Sequence, residues 1–435
     1  MFPRRKPLVF AAILVLILVI QPLIAMEPTW NTSVQGERLT DLAIAADGSR
    51  VITGSSMGNA RVFDGNGSLL WKAQVPGSLL VECLRNGSGY VLATREVLAT
   101  NKGAVRYYDR NGSLLWIYHS GWVTGTCISD QEGRLVAGNR VGDILVLDET
   151  GTRVALFNDF PKMYVVAGPA LSQNGKVLAY TLHERNPQIR YVRIDRNSKV
   201  TFRSFSKKAD NSVYVDDEPI TRLVLSADGA YLATVGGEGS HGLLCLYAGN
   251  GTKIWSRDME RILDIQIEGD GSLLYVGTEE GNITSFLRNG SRSWTFQAGS
   301  QVQGIALSGE AGILAGGTRK GDLFLLNRAG DLVDHSRIEE FPTGSISLVT
   351  LSRDGRSLAA VANGKNLYCF MVSGSSSGQP VSLNNPVGKQ PKSTPVLFPF
   401  IRSYQYSNIR EGISSMGRPV LWNLSDNLKI PGTFS

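Results

Sequence analysis

Apolar and polar positions alternate in short blocks along most of the chain. Leu223 to Trp255 reads LVLSADGAYLATVGGEGSHGLLCLYAGNGTKIW. Four pieces rich in β-branched, leucine and aromatic residues are separated by the turn ADG, a Gly-rich loop and the turn GNG. Apolar runs this short between turn-formers predict strands. Asn-Gly predicts a tight hairpin, because a type I′ turn needs positive φ at both central residues. The block therefore predicts four consecutive antiparallel strands.

The same order recurs. First strands are expected near Leu42, Leu80, Val123, Val165, Ile220, Ile262, Val302 and Ile346. Third strands read ARVFD, VRYYD, DILVLD, IRYVRID, LLCLY, ITSFL, DLFLL and NLYCF. One ten-residue stretch is nearly duplicated, VFDGNGSLLW from Val62 and YYDRNGSLLW from Tyr107. Gly67, Gly112, Gly251 and Gly290 each precede a tryptophan by four residues, at Trp71, Trp116, Trp255 and Trp294. Two further units keep the glycine at Gly151 and Gly330 but have Ala155 and Asp334 in place of the tryptophan. The fourth unit, with DRNSK, diverges most. A four-stranded sheet buries little alone and needs a neighbour on each face, so a chain of such units must close into a ring. The expectation is an all-β, eight-bladed β-propeller, with seven blades as the alternative if the fourth unit is incomplete. Trp30, Trp71, Trp116, Trp255 and Trp294 are assigned to locking adjacent blades, since an outer-strand indole is large enough to reach the neighbour. The eighth unit ends without a fourth strand. WNTSVQG from Trp30 matches WKAQVPG from Trp71 as W-x-x-x-V-x-G, so residues 27–38 are read as the missing outer strand.

The SADG first turns are similar to WD40-type repeats. The Gly-x-x-x-Trp endings resemble the tryptophan-docking repeat of quinoprotein-like propellers. The resemblance covers residues 28 to 374 and implies the fold. No residue of a quinone site is carried over by it, and no cofactor is expected.

The first 26 residues differ in kind. Arg4, Arg5 and Lys6 precede an unbroken apolar run from Leu8 to Ile20. This reads as a signal peptide or an uncleaved membrane anchor, and either places the rest of the chain on the extracytoplasmic side. The expected location is the cell membrane, with secretion as the alternative. An uncleaved anchor would hold the tight-turn face near the membrane and present the opposite face outward. The propeller is assigned to 27–374. It is followed by a Ser/Gly/Pro-rich linker over 375–395 and a mostly irregular tail over 396–435.

Charged residues make up 19% of the 435 positions and the net charge is +6, with no Lys/Arg run interleaved with aromatics. Nucleic acid is therefore not an expected partner. Cys83, Cys127, Cys245 and Cys369 have no metal-ligand spacing and read as buried thiols. His119, His183, His241 and His335 share no ligand spacing, and no catalytic motif is present, so neither a metal site nor an enzyme is expected.

Loops after strands two and four vary in length, whereas turns after strands one and three are short and uniform. Insertions confined to one face mark a binding face in repeat proteins. Candidate binding residues there are Arg95, Lys102, Phe160, Tyr164, His183, Arg185, Lys207, Lys208, Tyr214, Asp216, Asp217, His241, Arg319 and Lys320. The expected function is a non-catalytic extracytoplasmic scaffold that binds protein or glycan at the cell surface. The alternatives are a quinoprotein-like oxidoreductase with a cofactor in the central channel and a structural envelope component.

Overall fold

A computed structural model describes residues 26–372, apart from 85–86, 95–102, 130, 159–163, 166–167, 184–187, 195–199, 205–219, 238 and 339–343. The chain divides into two units, Met1–Ser377 and Gly378–Ser435, and every described residue lies in the first. The expected N-terminal apolar helix, the linker and the tail fall outside the described residues. None of the described residues is helical, and none forms an apolar helix long enough to cross a membrane.

The described strands form eight antiparallel sheets in sequential order. Blade 1 comprises Leu39–Ile44, Arg50–Ser55, Asn59–Asp64 and Leu69–Gln74. Blade 4 is complete: its first strand is split into Tyr164–Val165 and Ala170–Leu171, and both pieces pair with Val177–His183. The seven-blade alternative is thereby excluded. Blade 8 takes its outer strand from the other end of the propeller sequence. Pro28–Ser33 pairs antiparallel with Asn366–Met371, with Trp30 opposite Cys369. First strands of neighbouring blades adjoin one another around the ring.

The apolar core is distributed over the seams between blades. Each of eight clusters among the described residues draws on two neighbours. Ile52 and Val62 of blade 1 meet Leu79 and Tyr90 of blade 2, whereas Val51 and Phe63 of blade 1 meet Val361 and Leu367 of blade 8. Adjacent residues of one strand thus enter two different seams. That is why second strands such as Arg50–Ser55 are buried almost throughout, while fourth strands such as Leu69–Gln74 alternate.

Trp30, Trp116, Trp255 and Trp294 each reach the next blade. Their indole N–H groups donate to Gly65, Glu149, Arg288 and Arg328 carbonyls at 2.9–3.0 Å. Each ring also covers the next blade's hairpin glycine. A Cβ on Gly67 would meet the Trp30 ring at 2.7 Å, and one on Gly112, Gly151, Gly290 or Gly330 would meet the ring of Trp71, Trp116, Trp255 or Trp294 at 2.5–2.9 Å. These glycines have φ between 79 and 87°, so two independent constraints exclude a side chain. Trp71 is the exception in hydrogen bonding, because its buried Nε1 has no partner.

All four cysteines are free thiols. Burial pushes the Cys83 thiol up to about 12 and raises Cys127 and Cys369 as well.

Candidate functional site

Sequential antiparallel order puts the turns after strands one and three at one end of every blade. The loops after strands two and four lie at the other. The first end is built from self-contained turns. Asp64 Oδ1 accepts the amides of Asn66 and Ser68, and Asp109 does the same for Asn111 and Ser113. These side chains are consumed locally.

The inner turns of this end also bond to one another. Arg353 lies in the first turn of blade 8, and Gln173 occupies the same turn of blade 4, halfway round the ring. Arg353 Nη2 donates to Gln173 Oε1 at 3.1 Å. Its Nε stands 2.6 Å from Glu310 Oε1 of blade 7, and its backbone amide donates to Ala46 of blade 1. The central channel is therefore bridged at the tight-turn face.

The inner strands are more polar than their apolar stretches indicate, with Asp41, Glu82, Arg222, Asp264 and Gln266 on them. Several of these groups are bound to protein. Asp41 Oδ2 accepts the Val81 amide of the next blade, and Asp264 Oδ2 accepts that of Ile305, both at 2.9 Å. Arg222 Nε donates to Leu263 O at 2.5 Å, and its Nη1 lies 3.7 Å from Asp264. Carboxylates at the inner edge thus satisfy the free edge amides of a neighbouring sheet. Among the described residues, no three His, Cys, Asp or Glu side chains converge as a metal cluster.

The variable face carries three of the sequence-predicted residues with described side chains. His241 is half-exposed, with Nε2 3.5 Å from Asp258. Arg319 Nη1 donates to Gln301 Oε1 at 3.3 Å, and Lys320 beside it is exposed. These two regions sit on blades 5 and 7 and form no single constellation. Tyr164 and His183 are direct cross-strand partners in blade 4. Arg95, Lys102, Phe160, Arg185, Lys207, Lys208, Tyr214, Asp216 and Asp217 lie outside the described residues.

Sequence reading missed an aromatic group on this face. Trp122 sits between blades 2 and 3, and the Arg140 guanidinium stacks over it at 4.5 Å. The Arg140 amide donates to the Trp122 carbonyl at 2.8 Å, and Val141 next to it is 40% exposed. Met57, in the equivalent loop of blade 1, is 61% exposed. The signal was available: Trp122 is a tryptophan of the ring that falls outside the Gly-x-x-x-Trp frame and the closing strand.

Carboxylates stand at matching places on this face, Glu37 and Glu260, each two residues before the first strand of the next blade, blade 1 or blade 6. Burial pushes Glu37 up, but hydrogen bonds from Ser55, Asn59 and Arg61 more than offset it and hold the carboxyl below its usual range. Glu260 behaves alike: burial is outweighed by bonds from Thr278, Asn282 and Glu280. Exposed Glu280 is raised in turn by its hydrogen bond to Glu260 and by that residue's charge.

A family model described as outer membrane protein assembly factor BamB matches residues 192–395. No curated protein sequence matches the chain. Among solved structures, Sqt1 of Saccharomyces cerevisiae aligns with a TM-score of 0.64 at 12% identity, over 80% of this chain and 100% of its own. Sqt1 of Chaetomium thermophilum, solved with the N-terminus of a ribosomal protein bound, aligns at 0.61 and 14% over 80% and 100%. BamB from Moraxella catarrhalis aligns at 0.56 and 15%, again over 80% and 100%. The chain is an eight-bladed β-propeller, similar to quinoprotein-like and WD40-like propellers.

Proposed function

We propose that the protein is a protein-binding scaffold working on the extracytoplasmic side of a membrane, with the variable face of the ring as its recognition surface. The observation that carries this reading is the contrast between the two faces. At the tight-turn face, polar side chains are spent on turns and on the Arg353–Gln173 bridge. The variable face instead offers Trp122 stacked with Arg140, exposed Val141 and Met57, and the cations Arg319 and Lys320. Stacked Trp and Arg with apolar neighbours are the residue types that anchor protein interfaces. The similar Sqt1 structure with a ribosomal protein N-terminus bound supports a peptide or protein partner over a glycan. The basic start and apolar run of residues 4–20 support the location. The inner-strand carboxylates Asp41 and Asp264 are committed to backbone amides, which favours this reading over channel chemistry.

The test is a photo-crosslinking amino acid placed at Val141 or Lys320, and at Asn289 on the opposite face, in the intact host. Protein adducts from the first two sites and none from Asn289 are expected. Adducts from Asn289 alone, or a small-molecule mass retained by the native protein and lost on denaturation, would overturn the reading.

A further inference from the structure

Fourth strands lie at the rim, and the two positions after the small or polar residue that follows the hairpin glycine sit at their tight-turn end. In blades 1, 2 and 7 these pairs are Leu69-Leu70, Leu114-Leu115 and Leu332-Val333, all exposed. In blade 8 the corresponding residues are Pro28 and Thr29, and neighbouring Met371 is 68% exposed, the highest value among the large apolar side chains of the described residues. In blades 3, 5 and 6 the first position of the pair is a cation instead, Arg153, Lys253 or Arg292. Blades 7, 8, 1 and 2 are consecutive around the ring. The exposed apolar pairs therefore form one arc.

The N-terminal segment joins the ring inside this arc. Met26 is buried in the seam of blades 7 and 8, and its amide donates to His335 of blade 7 at 2.9 Å. The Met371 amide at the end of blade 8 donates to Thr29 Oγ1. Leu332 and Val333 lie on one side of this junction and Met371 on the other. The apolar run of residues 8–20 ends only five residues before Met26, so little chain separates a membrane segment from the rim.

We infer that the tight-turn rim of blades 7, 8, 1 and 2 rests on the lipid surface. Apolar pairs on several adjacent rigid sheets form a patch of the kind that marks an interaction surface. Tethering at its centre makes lipid the occupant. The inference rests on the extracytoplasmic location proposed above and on residues 8–20 being the uncleaved anchor of the two readings given for them, and it adds which blades of the tight-turn face meet the lipid.

Full-length protein is reconstituted in phosphatidylcholine–phosphatidylglycerol vesicles, with an environment-sensitive dye on Leu70→Cys, Leu115→Cys or Val333→Cys. Ile254→Cys on blade 5 and Lys320→Cys on the variable face serve as controls. The native thiols are mostly buried and do not compete. Loss of iodide quenching at the three arc positions, with both controls fully quenched, is expected. Equal quenching everywhere while the mass shows residues 1–25 retained would overturn the inference and leave the tether standing. A mass lacking those residues overturns the tether itself. Arc shielding that appears equally in detergent and grows with protein concentration identifies a second copy as the occupant, and overturns the lipid assignment.

Discussion

Trp30 Nε1 donates to the Gly65 carbonyl at 3.0 Å, and its ring covers Gly67. This contact joins the outer strand of blade 8 to the hairpin of blade 1, so it closes the ring between the two ends of the propeller sequence. Trp30→Ala removes the ring packing and the hydrogen bond together and is expected to cost about 3 kcal/mol. Trp71 makes the same packing without a hydrogen bond. Trp30→Phe should therefore destabilise more than Trp71→Phe, by about 1 kcal/mol. Urea unfolding of the three variants checks both statements.

Gly67 and Gly36 separate conformational from steric cost. Both have positive φ, 85° and 78°, but only Gly67 faces a neighbour, the Trp30 ring at 2.7 Å from a built Cβ. Gly36→Ala should cost about 1–2 kcal/mol from the backbone alone. Gly67→Ala should cost measurably more in the same denaturation assay, and the excess should vanish in a Trp30→Ala background.

Two buried carboxylates give opposite pH signatures. Glu37 is held below its usual range in the fold by its hydrogen bonds, against the push of burial. Its contribution is present above the unfolded carboxylate range and is lost as pH falls through the lowered value. Glu268 is raised, chiefly by burial, against a 2.8 Å bond from the Tyr275 hydroxyl and the nearby Arg328. Its contribution is present below the unfolded range and is lost as pH rises through the raised value. Glu37→Gln should thus lose more stability at neutral pH than in acid, and Glu268→Gln should compare best with the parent protein at neutral pH. Thermal melts between pH 3 and about 7 decide both.

Alkylation by iodoacetamide tests the cysteine assignment. Cys83, Cys245 and Cys369 are buried, and desolvation raises the Cys83, Cys127 and Cys369 thiols. Because the thiolate is the nucleophile, the native protein at pH 8 should gain almost no adducts. Unfolded without reductant, it should gain one on each of its four cysteines. A shortfall in the unfolded state would reveal a disulfide.

Arg353→Ala removes the side chain that spans blades 4, 7 and 8. The bond to Gln173 and the ion pair to Glu310 are partly buried, so a loss of about 1–3 kcal/mol is expected. Faster amide exchange should follow in the first turns of blades 4 and 7, with blade 6 unchanged. Hydrogen-exchange mass spectrometry reads this directly.

Sequence alone determined the strands and their order, because these depend on local chemistry, and it narrowed the blades to eight or seven; the pairing of the split first strand in the divergent fourth unit decided for eight. Asn-Gly and Asp-Gly set the turns, and runs of β-branched, leucine and aromatic residues set what lies between. Tertiary structure decided what each repeated residue is for. Gly and Trp are four apart within a unit, yet each Trp covers the glycine of the next blade. That offset explains why Gly151 persists beside Ala155: it receives Trp116. Blade 3 has no tryptophan to pass on, and the following unit has Ser198 where the glycine would stand. The Arg353–Gln173 bridge spans 180 residues, and the Trp122–Arg140 pair depends on where two loops of different strands meet. The rim arc likewise exists only because ring closure makes blades 7 and 8 neighbours of blades 1 and 2. Turns and strands are written in contiguous residues, but contacts between blades follow from closure, which no single repeat encodes.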